Sequence, residues 1–132
     1  MQTSFTDKQL LDKDNKSSES ILRKCVHCGM CNATCPTFCV NGEELEGPRG
    51  RIYLIKDMLE NKKPANKKVV KHIDSCLSCY SCMTTCPSGV NYMHLIDHGR
   101  NYVEETYKRP FFDRLFRNVL SFVLPRPKVF LT

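Results

Sequence analysis

One cysteine run occurs twice, and it limits the fold more than any other feature of the chain. CVHCGMCNATCPT at residues 25–37 and CLSCYSCMTTCPS at 76–88 share the form C-x2-C-x2-C-x3-C-P. Every cysteine is displaced by 51 residues: Cys25 to Cys76, Cys28 to Cys79, Cys31 to Cys82 and Cys35 to Cys86. Thr34 and Pro36 recur as Thr85 and Pro87. What repeats is a set of ligand-type side chains and the loop that carries them. With 132 residues, nine cysteines and no tryptophan, the chain has a core for one small domain that needs cross-links of some kind. Disulfides fit poorly. The N-terminal MQTSFTDKQLLDKDNK lacks the basic stretch and apolar run of an export signal, and nine cysteines cannot all pair. Thiolates bound to metal in a reducing compartment are the expectation.

Each run has the form of a bacterial-type four-iron site, in which the fourth cysteine ligates the other cluster. Two-residue gaps let a loop bring three thiolates round one cubane. The three-residue gap spans about one helical turn and carries the fourth cysteine away. The proline that follows disfavours α conformation in that cysteine, so the short helix ends there. Two copies then pair by crossing. Cys25, Cys28, Cys31 and Cys86 are expected to hold one [4Fe–4S] cluster, and Cys76, Cys79, Cys82 and Cys35 the other. The alternative is a pair of four-cysteine zinc sites. Zinc ribbons, however, use two separated pairs per site rather than one run closed by proline.

The stretch between the copies reads as helical. GPRGRIYLIKDMLEN places Pro48 in a first turn and Ile52, Ile55 and Leu59 on one face, widened by Leu54 and Met58. A second helix is expected over 66–75, with Val69, Val70 and Ile73 inward. A third follows over 90–107, where Gly99 is a mild weakness. After Pro110, FFDRLFRNVLSFVL is amphipathic and ends at Pro125. No segment alternates as a strand does. The expected class is all-α, a helical ferredoxin with two [4Fe–4S] clusters in loops between short helices. Residues 1–24 read as a polar, partly ordered lead-in with a break at Ser17–Ser18. Residues 25–108 form the two-cluster domain, and 109–132 an amphipathic helix and a Pro-rich start of a further region.

Other residues receive plainer readings. Cys39 is expected to be a small buried hydrophobe, a spare ligand or redox thiol being the alternative. Gly29 and Gly89, beside ligands, suit positive φ; Gly42, Gly47 and Gly50 read as ordinary turns. His27 has no vacancy to fill in a complete cysteine set. His94 and His98 have a metal-compatible spacing but no third partner. No nucleophile or paired-carboxylate frame stands out, so no substrate-converting site is expected in this chain. The formal charge of +6 falls to about +2 once two clusters of about −2 each are counted. With no basic patch around the cysteines, a nucleic-acid partner is not expected. No apolar run reaches membrane-spanning length. The amphipathic helix is expected to pack on the domain, on a further C-terminal region or on a partner subunit, with membrane contact as the alternative.

GPRGRIYLIK, CPSGVNYMHLIDHGR and LPRPKVF narrow the match beyond a generic two-cluster protein. With the cysteine runs they make the chain resemble the iron–sulfur subunits of bacterial glycolate oxidase, or glycolate dehydrogenase, in one register from Cys25 to Phe130. The resemblance implies an electron-transfer subunit whose eight cysteine ligands are those assigned above. Its implied partners are FAD-containing subunits that oxidise glycolate and a membrane electron acceptor, a quinone. Its implied location is the cytoplasm, peripheral on the inner face of the membrane. Relatives sharing the cysteine frame serve lactate, glycerol-3-phosphate or heterodisulfide chemistry, which stays open as the alternative. Members of that family continue into a C-terminal region with CCG-type repeats, which implies that this chain corresponds to an N-terminal module. A cysteine at position 39 is not expected there.

Overall fold

A computed structural model describes residues 1–127. Among them there is no strand. Eight α-helices follow in order: α1 (Asp7–Leu10), α2 (Lys13–Lys24), α3 (Pro36–Asn41), α4 (Pro48–Asn61), α5 (Lys67–Asp74), α6 (Ser81–Thr85), α7 (Tyr92–Thr106) and α8 (Phe111–Val123). Short 3-10 turns lie at Met30–Asn32 and Glu44–Glu46. The all-α expectation holds, and the three helices expected between and after the cysteine runs are α4, α5 and α7.

The core forms where α4 crosses α7, with α2 and α5 packed against the pair. Ile52, Ile55, Met58 and Leu59 of α4 meet Leu95, Ile96 and Val103 of α7, and Leu22 and Ile73 close the sides. Each such side chain contributes about 1.5–3 kcal/mol by leaving water. Gly99 is what lets the two helices approach. A Cβ at that position would lie 2.8 Å from Ile55 Cγ1, closer than carbon atoms pack. Gly50, expected in a turn, instead lies inside the first turn of α4 and is buried. A Cβ there would stand 2.2 Å from the Glu44 carbonyl oxygen. This glycine lets the Glu44–Glu46 turn lie on α4.

The expected break at Ser17–Ser18 is absent: α2 runs through both residues. Ser18 is fully buried, and its Oγ lies 2.7 Å from His98 Nδ1. A serine whose hydroxyl finds a partner on the neighbouring helix has no reason to end its own. The Asp12 carboxylate caps α2 by accepting from the Asn15 backbone N–H. Leu22, one turn after Ser18, then reaches the core fully buried.

α8 does not pack on the domain through its apolar face. Phe112 and Phe116 are 81% and 64% exposed, and no residue of the helix is buried. It is tied down at its start by ions: Arg109 reaches Asp74 at 2.6 Å and Glu104 at 2.7 Å, and Arg117 reaches Asp74 at 2.9 Å. The last residues of the LPRPKVF motif and of the expected 109–132 region, 128–132, lie outside the described residues. Among the described residues no helix is long and apolar enough to cross a membrane.

Candidate metal centre

The two cysteine runs fold alike, position by position. His27 and Ser78 have φ of 58° and 52°, and Gly29 and Tyr80 have φ of 84° and 56°. Three of these four are not glycine. Such left-handed residues cost about 1–3 kcal/mol each unless the surroundings hold them, and they gather at functional loops. The fourth cysteines also agree: Cys35 has φ −86° and ψ 115°, Cys86 φ −79° and ψ 112°. The proline that follows each one favours this extended conformation. Two arginines, again 51 residues apart, brace the loops. Arg49 presses against Gly29, while Arg100 donates to Ser78 Oγ at 2.6 Å and to the Cys76 carbonyl at 2.7 Å. Equivalent elements, the Met30–Asn32 turn and α6, pack together. There the equivalent hydroxyls of Thr34 and Thr85 meet at 3.0 Å, as a local two-fold relation requires.

This pairing brings both runs to two cavities. Cys25, Cys28, Cys31, Cys82 and Cys86 line one. Cys35, Cys76, Cys79 and Cys82 line another. Pro48, Cys82 and Tyr92 line both, so one layer of side chains separates them. With Cys82 on the wall between them, the first cavity draws Cys25, Cys28 and Cys31 from one copy and Cys86 from the other, and the second draws Cys76, Cys79 and Cys82 from one copy and Cys35 from the other. His27 borders the first cavity, its ring 6.3 Å from that of Tyr53. His94 and His98 lie away from both cavities, and Ser18 engages His98.

The thiol chemistry fits a cationic iron core. Burial, with the neighbouring thiols adding to it, pushes Cys31 up to about 11 and Cys82 up to about 12. These two buried thiols resist losing their protons to water. Iron ions bound there would remove that resistance and take the thiolates as ligands.

Cys39 belongs to neither cavity. Pro36 does more than end the ligand run: it occupies the first turn of α3, a position suited to proline. Cys39 therefore sits one turn past Cys35, with its N–H on the Cys35 carbonyl at 2.9 Å. The expectation of burial is wrong. α3 lies on the surface with no buried residue, and the exposed Cys39 thiol faces the Ala33 carbonyl at 3.4 Å.

Several residues around the cavities escaped the sequence reading. Arg51 is 1% exposed beside the second cavity. Its Nε donates to the His72 carbonyl at 2.7 Å, and its Nη2 to Thr37 Oγ1, Ser75 Oγ and Glu46 Oε2 at 3.0–3.1 Å. Nη1 points at Cys35 Sγ, 3.8 Å away. Burial pushes the Glu46 carboxyl up, but Ser75, His72 and Arg51 outweigh it and hold the group below its ordinary range. Tyr92, 4% exposed, directs its hydroxyl at Cys76 Sγ, 3.7 Å away. A signal for Arg51 did exist: a lone charge immediately before Ile52 and four residues before Ile55, at the edge of the apolar face of α4.

Comparison with known proteins agrees with this geometry. The family profile of the 4Fe-4S dicluster domain matches residues 21–90. The chain is 52% identical over 130 residues to the glycolate oxidase iron-sulfur subunit of Escherichia coli, covering 98% of this chain and 32% of that protein. It is 32% identical over 117 residues to a probable glycolate oxidase iron-sulfur subunit of Bacillus subtilis, covering 85% of this chain and 26% of the relative. A weaker likeness, 27% over 84 residues, links it to a mitochondrial succinate dehydrogenase iron-sulfur subunit of Candida glabrata, covering 59% of this chain and 33% of that one. The chain thus spans about a third or less of the length of these curated relatives. No solved structure matches it. The family's cofactor is a pair of [4Fe–4S] clusters, and the chain belongs to the 4Fe-4S dicluster domain family.

Proposed function

We propose that this chain is the cluster-bearing module of a flavin-dependent glycolate oxidase and relays electrons released when glycolate is oxidised to glyoxylate. In this reading Cys25, Cys28, Cys31 and Cys86 hold one [4Fe–4S] cluster, and Cys76, Cys79, Cys82 and Cys35 hold the other. The observation that carries the reading is the pair of adjacent cavities, one bringing Cys86 to the first three cysteines of the first run and the other bringing Cys35 to the first three of the second, with Cys82 on the wall they share. When bound, the clusters supply one-electron chemistry without bond-making. The chain's own residues hold the sulfurs, keep much of the site dry and leave one shared layer of side chains between the sites. Identity of 52% to a glycolate oxidase iron-sulfur subunit supports glycolate as the electron source. Electrons then arrive from FAD-containing partner subunits and leave toward a membrane acceptor, a quinone, at the inner face of the membrane. Residues 25–108 constitute the cluster domain, between a lead-in at 1–24 and the α8-bearing segment at 109–132.

The test is anaerobic addition of substrate to the chain assembled with its flavin subunits. Glycolate is expected to bleach the iron–sulfur absorbance. Bleaching by lactate, by glycerol-3-phosphate or by the dithiol of a heterodisulfide, with glycolate inert, would replace this assignment with one of those relatives.

A further inference from the structure

The two cavities differ in the buried hydrogen-bond donors that face their sulfurs. We propose that Arg51 and Tyr92 are positioning residues that make the cluster held by Cys35, Cys76, Cys79 and Cys82 the easier of the two to reduce. The proposal rests on the ligand assignment above and extends it to the order in which the two sites fill.

Reduction adds one electron to a cluster and its four thiolates, with no proton taken up and no bond formed or broken. The product is more negative by one charge. Donors aimed at the sulfurs favour that product, and more so where water is excluded. At the second cavity two such donors are fixed. Arg51 Nη1 faces Cys35 Sγ at 3.8 Å, and the Tyr92 hydroxyl faces Cys76 Sγ at 3.7 Å. Both side chains are almost wholly buried. Arg51 cannot swing away, because its remaining donors are taken by the His72 carbonyl, Thr37, Ser75 and Glu46. The Glu46 carboxylate balances the guanidinium charge from the Nη2 side and leaves the Nη1 hydrogens directed at sulfur.

The first cavity has no side-chain donor aimed at a sulfur, although His27 and Arg49, whose Nδ1 and Nε are buried without a hydrogen-bond partner, line it. Among the described residues no side-chain N–H or O–H donates to Cys25, Cys28, Cys31 or Cys86. Arg49 lines that cavity, but its side chain is 39% exposed and paired with Glu44 at 3.3 Å. Water and the carboxylate screen its field. In a complex fed by a one-electron donor, the electron therefore settles at the second site.

The test is a potentiometric titration of the reconstituted full chain, followed by EPR. Two one-electron waves are expected, and Cys79→Ser should alter or remove the signal of the upper one. Tyr92→Phe removes a hydroxyl and keeps the ring. Arg51→Lys keeps the charge and loses the fork. Each variant should shift the upper wave down by at least threefold in its reduction equilibrium, on a scale where tenfold is about 59 mV for one electron. The lower wave should stay in place. Movement of the lower wave alone, equal movement of both, or no movement overturns the proposal. If Arg51→Lys loses iron, Tyr92→Phe decides. Wild-type protein without acid-labile sulfide fails the cluster reading and takes the proposal with it, whereas intact clusters with unmoved waves fail the proposal only.

Discussion

Glu46 and Arg51 form a buried ion pair, 3% and 1% exposed, that joins the Glu44–Glu46 turn to α4 and, through His72 and Ser75, to α5 and its end. Removing one partner leaves a buried charge uncompensated, which costs about 3–5 kcal/mol. Glu46→Ala is therefore expected to lower unfolding stability by that amount in a denaturant titration; a loss under about 1 kcal/mol would contradict the role given to the pair. Cys39 lies at the other extreme. It is exposed and lines neither cavity. Cys39→Ser should keep the full iron content and change stability by no more than about 0.5 kcal/mol, and loss of half the iron would make it a ligand. The eight cavity-lining cysteines were legible because their spacing is local and chemistry-bearing. Arg51 and Tyr92 were not. Apart from Glu46, five positions away, the partners of Arg51 lie 14 to 24 positions away and that of Tyr92 lies 16 away, and only the folded chain brings them together.

Helices were legible where an apolar stripe ran without interruption, as in α4, and misread where a polar residue carried a tertiary contact. Ser18 looked like a break because no sequence rule shows His98 waiting on α7. That contact has a pH signature. Burial holds His98 below its ordinary value of 6.5; His94 acts in the same direction, and Asp14, Asp12 and Glu105 oppose. The folded state therefore accepts a proton less readily than the unfolded chain. Stability is fully present above pH 6.5 and is lost as pH falls toward the lowered folded value. His98→Gln is expected to flatten the melting temperature across that window, and an unchanged slope would contradict the assignment. Gly99, a weakness of α7 by helix propensity, lies directly against Ile55 of α4. Alanine gains about 1 kcal/mol of helix propensity. It also puts a methyl 2.8 Å from Ile55 Cγ1, and overpacking of this kind costs about 1–3 kcal/mol. Gly99→Ala should therefore lower the melting temperature; a rise would mean that the helices can part freely. The clean amphipathic pattern of α8 was legible, but its partner was not: that face lies uncovered among the described residues.

At the scale of the molecule, the repeat acts as a staple. Each cavity takes its fourth cysteine from the other run, so two sites 51 residues apart in sequence are closed on each other. The α4–α7 crossing supplies the apolar core, and the cysteine loops are expected to need metal to hold their shape. Removing the iron with a chelator under anaerobic conditions is expected to abolish the cooperative thermal transition; an unchanged transition would mean that the helices hold the loops unaided. The all-α class could be read from the sequence because helical periodicity is a local property. The two-fold contact of Thr34 with Thr85 could not, although the repeat contained both residues, because spacing does not say which faces meet. The crossing of ligands is the central claim, and the EPR spectrum of reduced Cys35→Ser tests it most directly. If the ligands cross, that spectrum matches the spectrum of Cys79→Ser and keeps the signal that Cys28→Ser loses. A Cys35→Ser spectrum that matches Cys28→Ser instead would place Cys35 with its own run and contradict the account.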